Sequence, residues 1–359
     1  MTNRQAQLSA SSLPRSHSHG WFSFLMVGMV LFAVVIGTLA FRLVEDHLVA
    51  RSGETLALAA GDIADKLDLF LSERHAGIRI MAKAQVFQGQ DHAAMAKHLQ
   101  AVQEAYPMYL WLGVTDARGR IVAATNPLSV GTDWSRTPWF QTVRSGGRIN
   151  VRDAEAAEES DGALAVTYTA PIAGPQGNFL GVVTARIWLP TLEDLFVRTI
   201  GLQAQHGTSG RVEYQFLTRD GTLIADSILR EEGRANLKRL GLPSATLYDT
   251  GPPGYVEENH SRRLVPVITG YAQIKGSEEF PGLRWGILVR MDRDDILGPV
   301  RAIIVKLGSA GAAVCLPLFG LLLWTNRRLL QEWQRAGEEA RRATEADARM
   351  QAHETRTRV

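Results

Sequence analysis

The sequence predicts an α+β chain: two tandem sheet modules carried on a long N-terminal helix, bracketed by two membrane-spanning helices and followed by a helical tail. Three observations predict it. Two uncharged apolar runs lie near the ends, a helical apolar rhythm follows the first of them, and one strand–turn–strand pattern occurs twice, offset by about a hundred residues. With 359 residues, 45% of them hydrophobic, the chain can build more than one core.

The first apolar run is WFSFLMVGMVLFAVVIGTLAF, residues 21–41, and the second is LGSAGAAVCLPLFGLLLWT, residues 307–325. At 1.5 Å per residue each is about long enough to cross a ~30 Å hydrocarbon layer. The first run exceeds the roughly 7 to 15 apolar residues of a signal peptide, and no small-residue cleavage site follows it, so an uncleaved helix is expected. Arg4 and Arg15 precede it without an acid, and NRRLL follows the second run. Flanking positive charge of this kind places both termini in the cytoplasm and residues 42–306 outside the membrane. The expected division is therefore a cytoplasmic tail (1–20), a membrane helix (21–41), stalk and distal helices (42–106), a membrane-distal module (107–200), a membrane-proximal module (201–300), a second membrane helix (307–325) and a cytoplasmic helix (326–359).

The sole cysteine, Cys315, falls in the second run, which excludes disulfides and a cysteine metal site from the outer region. A net charge of +2 gives nucleic acid no electrostatic footprint. No metal and no cofactor is expected.

Past the first run, Leu56, Ala60, Ile63, Leu67, Phe70 and Leu71 recur at spacings of three and four, as on one face of a helix that should end near Met81. The stripe of Leu56, Ile63, Leu67 and Phe70 offers a surface for a second copy of the chain. A second helix starts at Asp91, an acid suited to an N-terminus, in DHAAMAKHLQAVQEAY. Short alternating segments then take over. VTDARGRIVAAT, from Val114, and FLTRDGTLIADS, from Phe216, each read as strand, polar glycine turn and strand. GVVTARIWLPTLEDLF, from Gly181, and GILVRMDRDDIL, from Gly286, each read as a strand leading through an acidic turn into an apolar helix. Two copies of one module explain both pairs. GLQAQHGTSG, residues 201–210, is rich in loop formers and separates them.

This order of elements resembles the double Cache sensor region of bacterial receptors, whose modules have PAS-like sheets. The likeness spans roughly Glu45 to Val300 and rests on DWSRTPWFQTV (133–143), similar to a pocket wall in which an arginine precedes an aromatic pair, and on YTAPIAGPQGNFLGVVTARIWL (168–189), similar to paired strands with a glycine turn. The resemblance implies that the distal module holds a small-molecule ligand and that the protein is a homodimeric sensor. Members that bind amino acids or amines carry an aspartate near the end of the strand matching GVVTARI. This chain has Arg186 there, which favours a carboxylate or other small anion over an amine.

The residues expected around that ligand are Arg186 and Arg136 for charge, Thr137 and Tyr168 for hydrogen bonds, and Trp111, Trp139 and Phe140 for apolar walls, with Asp153 beside them. Two other readings of Arg186 stand beside this one. It could pair with Asp153 or Glu155 in a structural ion pair, or share an exposed sheet face with Val182, Thr184 and Trp188.

No catalytic signature is present: the chain lacks a Walker loop, a GxSxG elbow and an HExxH helix, and its nine histidines are scattered. Arg219 to Gly221, RDG, reads as a turn, and His260 with Arg262 and Arg263 reads as a solvated basic loop. The tail from Asn326 is charged, alanine-rich and free of proline, and reads as a signalling helix. AHETRTRV, residues 352–359, is similar to the start of a histidine-kinase phosphoacceptor box, with His353 as a degenerate phosphoacceptor. Thr355 and Arg358 depart from that pattern. The expected function is a transmembrane receptor for a small anion; the alternatives are the front part of a histidine kinase or cyclase, and a ligand-free scaffold.

Overall fold

The computed structural model describes residues 18–156, 164–189, 211–228, 232–277 and 280–357. The expected module break at 201–210, and the helix expected in TLEDLF, lie outside the described residues. Helix α1, Ser18–Met81, is continuous over 64 residues and stops where the apolar rhythm stops. Helix α2, His92–Ala105, begins at the expected acid, because the Asp91 carboxylate accepts the Ala94 backbone N–H and so satisfies an otherwise unpaired donor of the first turn.

Two five-stranded antiparallel sheets follow. The distal sheet contains β1 (Tyr109–Thr115), β2 (Ile121–Ala124), β3 (Asn150–Ala156), β4 (Leu164–Ala173) and β5 (Phe179–Trp188), in the order β2-β1-β5-β4-β3. Helix α3, Pro138–Gly146, lies between β2 and β3 in sequence. The proximal sheet contains β6 (Val212–Leu217), β7 (Leu223–Asp226), β8 (Gly254–Asn259), β9 (Pro266–Gln273) and β10 (Gly286–Asp292), in the order β7-β6-β10-β9-β8, with the one-turn helix α4 (Pro243–Leu247) preceding β8. The two orders are the same permutation, as a duplicated module requires. The opening hairpins of the two copies turn at Gly119 and Gly221, both at φ +90°, a backbone conformation that a side chain would strain.

Helix α1 covers one face of both sheets. Leu56, Ile63, Leu67, Leu71 and Ile78 are buried on it. Against them stand alternate residues of the distal strands, Leu112, Val166, Tyr168, Ala185 and Ile187, and of the proximal strands, Phe216, Ile268, Val289 and Met291. The stripe that the sequence offers to a second copy is thus spent within the chain. Leu58, Leu69 and Ile80, eleven residues apart, remain exposed on the helix. The approach of helix and sheet is closest at Gly270 of β9, where a Cβ would lie 2.2 Å from the Leu56 carbonyl carbon and 2.4 Å from the Ala57 nitrogen.

The molecule divides at Ile296. The second unit, residues 297–359, is the body of helix α5, Arg293–Thr357. Among the described residues two helices, α1 and α5, are long and apolar enough to cross a membrane, and none of either apolar window is buried.

Gly270→Ala should lower the thermal midpoint of the detergent-solubilised chain by the equivalent of about 2 kcal/mol or more, since backbone cannot yield as a side chain can. Gly146→Ala, where a Cβ meets nothing within 4 Å, should leave the midpoint unchanged or raise it. Equal midpoints for the two variants would refute the close approach.

Candidate functional site

With one face of the distal sheet sealed by α1, its polar residues project to the other. There Arg186 of β5 pairs across the ladder with Trp111 of β1 on one side and Thr167 of β4 on the other. Thr167 in turn pairs with Arg152 of β3, so two arginines flank one threonine. Both guanidinium groups lie over indole rings: Arg186 Cζ is 5.2 Å from the Trp111 centroid and 6.0 Å from that of Trp134, and Arg152 Cζ is 5.0 Å from that of Trp139. The rings form one train, with centroids 5.5 Å apart for Trp111 and Trp134 and 5.1 Å for Trp134 and Trp139. Such stacking holds a cation by the ring quadrupole where water is scarce. Arg186 is only 4% exposed, which removes the reading of an exposed sheet face.

The cage is fixed from behind. The Trp111 indole N–H donates to Ser129 Oγ at 3.1 Å, and Phe140 packs with Val143 and Val182 beneath α3. Pro138 at the first position of α3 places Trp139 in the opening turn of the helix. Thr167 Oγ1 and Asn150 Oδ1, both buried on this face, have no hydrogen-bond partner among the described residues. Neighbouring Thr169 and Thr184 satisfy each other at 3.2 Å.

Of the expected site residues, Trp111, Trp139 and Arg186 come together, with Phe140 as the wall behind. Thr137 lies at the edge, its hydroxyl donating to the Trp134 carbonyl at 2.8 Å. Three residues require correction. Tyr168 points to the opposite face, where its hydroxyl donates to the Leu71 carbonyl of α1 at 3.2 Å, because strand alternation sends adjacent residues to opposite sides. Arg136 is exposed beside Asp133, whose carboxyl is held low by hydrogen bonds from Ser135, with Arg120 and Arg136 adding to the effect. Asp153 accepts the Trp285 indole N–H at 2.6 Å, a contact between modules, and burial pushes its carboxyl up. Glu155, the other acid considered for Arg186, pairs with Arg152 at 2.8 Å. Sequence reading missed Arg152, Thr167, Asn150 and Trp134. Trp134 sits inside the segment DWSRTPWFQTV, and Arg152 follows Asn150 at the strand period of two; neither signal separates a site residue from an ordinary strand residue. His353 lies on α5, and its side chain is outside the described residues.

A family model for the Cache domain, in its dCache form, matches residues 42–300. The chain belongs to this family. No curated protein matches it. Among solved structures it is similar to the extracellular domain of rpHK1S-Z16, named as a histidine kinase, at 15% identity and TM-score 0.52, over 69% of this chain and 97% of that one. It is also similar to the ligand-binding domain of the Pseudomonas fluorescens chemoreceptor CtaA, solved with L-serine, at 18% identity and TM-score 0.49 over 68% and 98% of the two chains. A third is an extracellular ligand-binding receptor from Desulfohalobium retbaense, at 18% identity and TM-score 0.48 over 66% of this chain; the chain spans 40% of that receptor's length.

The proximal Cache module repeats the geometry with different chemistry. Arg290 of β10 pairs with Glu213 of β6 and Thr269 of β9, the ladder positions of Trp111 and Thr167 around Arg186. Arg290 is fully buried, none of its guanidinium nitrogens has a hydrogen-bond partner among the described residues, and Glu258 is 4.0 Å away. His260, expected on a solvated loop, is fully buried as well. Its Nδ1 accepts the backbone N–H groups of Arg262 and Arg263, which assigns the proton to Nε2, 3.2 Å from Glu213 Oε1. Arg263 bridges Glu213 at 3.2 Å and Asp292 at 2.6 and 2.8 Å. The RDG motif is a turn as read: the Asp220 carboxylate accepts the hydroxyls of Thr218 and Thr222.

Burial pushes the Glu213 carboxyl up, but the His260 hydrogen bond and the charges of Arg290 and Arg263 outweigh it and hold the group below the usual range. A depressed folded pKa stabilises the fold above the unfolded value, about 4.3, and that contribution is lost as pH falls through the folded value. Thermal melts from pH 7 to pH 3 should therefore show a steeper acid decline for the native chain than for Glu213→Gln. Parallel declines would refute the assignment.

Proposed function

We propose that the chain is a two-pass receptor of the bacterial inner membrane, its Cache region outside and both termini in the cytoplasm, and that the distal module binds a small carboxylate. Thr167 carries this reading: its buried hydroxyl has no hydrogen-bond partner among the described residues, while two caged arginines flank it on adjacent strands. A carboxylate there accepts from both guanidinium groups and from the hydroxyl, in exchange for interactions those arginines make in this structure. Such charge-assisted bonds contribute about 1.5–3 kcal/mol each. A donor elsewhere on the ligand would meet Asn150 Oδ1. In this reading the site binds and orients the ligand.

Transmission requires that the ligand prefer one of two arrangements, because only differential affinity moves an equilibrium. At the membrane end of the Cache region, Arg293 reaches Glu45 of α1 and Glu257 of β8, each at 3.3 Å, so strand β8 and helix α1 share one cation at the start of α5. A change in the sheet thereby reaches both chain segments that lead to the membrane. Two copies pair, in this reading, along Leu58, Leu69 and Ile80, the apolar line that the sheets leave uncovered and whose spacing of eleven keeps it on one helix face. Disulfide capture of Leu69→Cys in a Cys315→Ala chain should yield a covalent dimer in membranes, and a purely monomeric product would remove this interface.

Titration of a small-carboxylate library into the full chain in nanodiscs tests the site. Arg186→Ala should weaken the best ligand at least tenfold, and Arg186→Lys should recover only part of the loss, since an ammonium lacks the planar fork. Tyr168→Phe should cost about 1 kcal/mol of stability while leaving affinity unchanged. An affinity indifferent to Arg186→Ala would end the proposal.

A further inference from the structure

The proximal module holds a cavity of about 430 Å³ on the face of its sheet away from α1. Its volume falls in the range of small-molecule sites, about 300–1,000 Å³. The lining is mixed, and its polar groups are ordered. On the sheet, Gln215 of β6 and Asp226 of β7 are ladder partners, and Leu223 lies beside them. Toward solvent stand Arg234, Arg239 and Arg262. Arg234 and Arg239 are exposed and make no ion pair among the described residues.

Gln215 is the decisive residue. It is 2% exposed, and its Oε1 has no hydrogen-bond partner among the described residues, while its Nε2 donates to Glu213 at only 3.4 Å. A buried amide oxygen left unpaired carries a desolvation cost, so a guest that supplies an N–H or O–H there gains what the fold forgoes. The charge is graded along the same cavity, with one carboxylate at the floor and three guanidinium groups at the mouth.

We infer that the proximal Cache module is a second binding site, for a small carboxylic acid whose other end carries a hydrogen-bond donor. The acid sits among Arg234, Arg239 and Arg262, and the donor meets Gln215 Oε1 beside Asp226. This site is separate from the tryptophan cage in residues and module, and it stands whether or not the cage binds a carboxylate. It also abuts the element that leads to the membrane: Gln215 faces Leu288, two residues before Arg290 on the strand that runs into α5.

Four matched probes test it: L-alanine, L-lactate, propionate and ethylamine, titrated calorimetrically into the full chain in nanodiscs. L-alanine or L-lactate should bind at least tenfold more tightly than propionate, which lacks the donor, and ethylamine, which lacks the acid, should not saturate this site. The double variant Arg234→Ala, Arg239→Ala changes only exposed side chains, and it should weaken that binding at least tenfold while Arg186→Ala does not. Gln215→Leu should abolish the preference over propionate; its thermal midpoint reports whether it has folded, and the rim variant decides the matter independently. Isotherms that superimpose for the native chain and the rim variant with all four probes, including a uniform lack of binding, would overturn the inference.

Discussion

A single helix seals one face of two sheets, and the rest of the outer region follows from that packing. The apolar face of α1 from Leu56 to Ile78 is long enough to serve both modules, and at Gly270 the helix backbone rests directly on the strand. Burial of this kind is non-directional and roughly proportional to area, so it fixes which face of each sheet is apolar without specifying what stands on the other. Every polar residue of consequence is consequently displaced to the far face: Arg152, Thr167 and Arg186 in one module, Glu213, Gln215 and Arg290 in the other. The seal also explains why Tyr168, next to Thr167, is structural rather than part of the site.

The two modules solve the same electrostatic problem in two ways. Each central strand carries an arginine between a residue of the first strand and a threonine of the fourth. In the distal module the neighbour is Trp111, and the guanidinium is held against aromatic faces. In the proximal module the neighbour is Glu213, and the buried charge is balanced by carboxylates at a distance rather than by hydrogen bonds. Arg263 and His260 then hold Glu213 ionised. A frame that tolerates either solution can diverge in ligand chemistry without changing its strand order, and the same fold thereby hosts sites of different character.

The polar layer of the proximal sheet lies close in sequence to the start of α5. Strand β10 supplies Arg290 to the proximal layer and Asp292 to the Arg263 bridge, and the next residue, Arg293, binds Glu45 and Glu257. Interactions of this kind on consecutive residues couple the polar layer to the start of α5 through one strand. Asp153 and Trp285 join the distal sheet to the segment that opens β10, so both modules bear on the same element.

The sequence by itself determined the elements: the apolar runs, the extent of α1 to Met81, the Asp91 cap and the duplicated hairpins with their glycine turns were legible because each depends on local periodicity or on one residue's backbone freedom. It also marked Arg186 as anomalous, since a charge inside an apolar run is visible in one dimension. Only the tertiary structure decided which residues share a face and what each side chain meets. Arg152 and Arg186 are 34 positions apart and flank Thr167 through ladder register alone, Tyr168 and Thr167 are adjacent yet separated by the sheet, and His260, on what reads as a basic surface loop, is fully buried against Glu213. Strand pairing brings distant residues together and alternation parts neighbours, and neither operation is written in the spacing of a single segment.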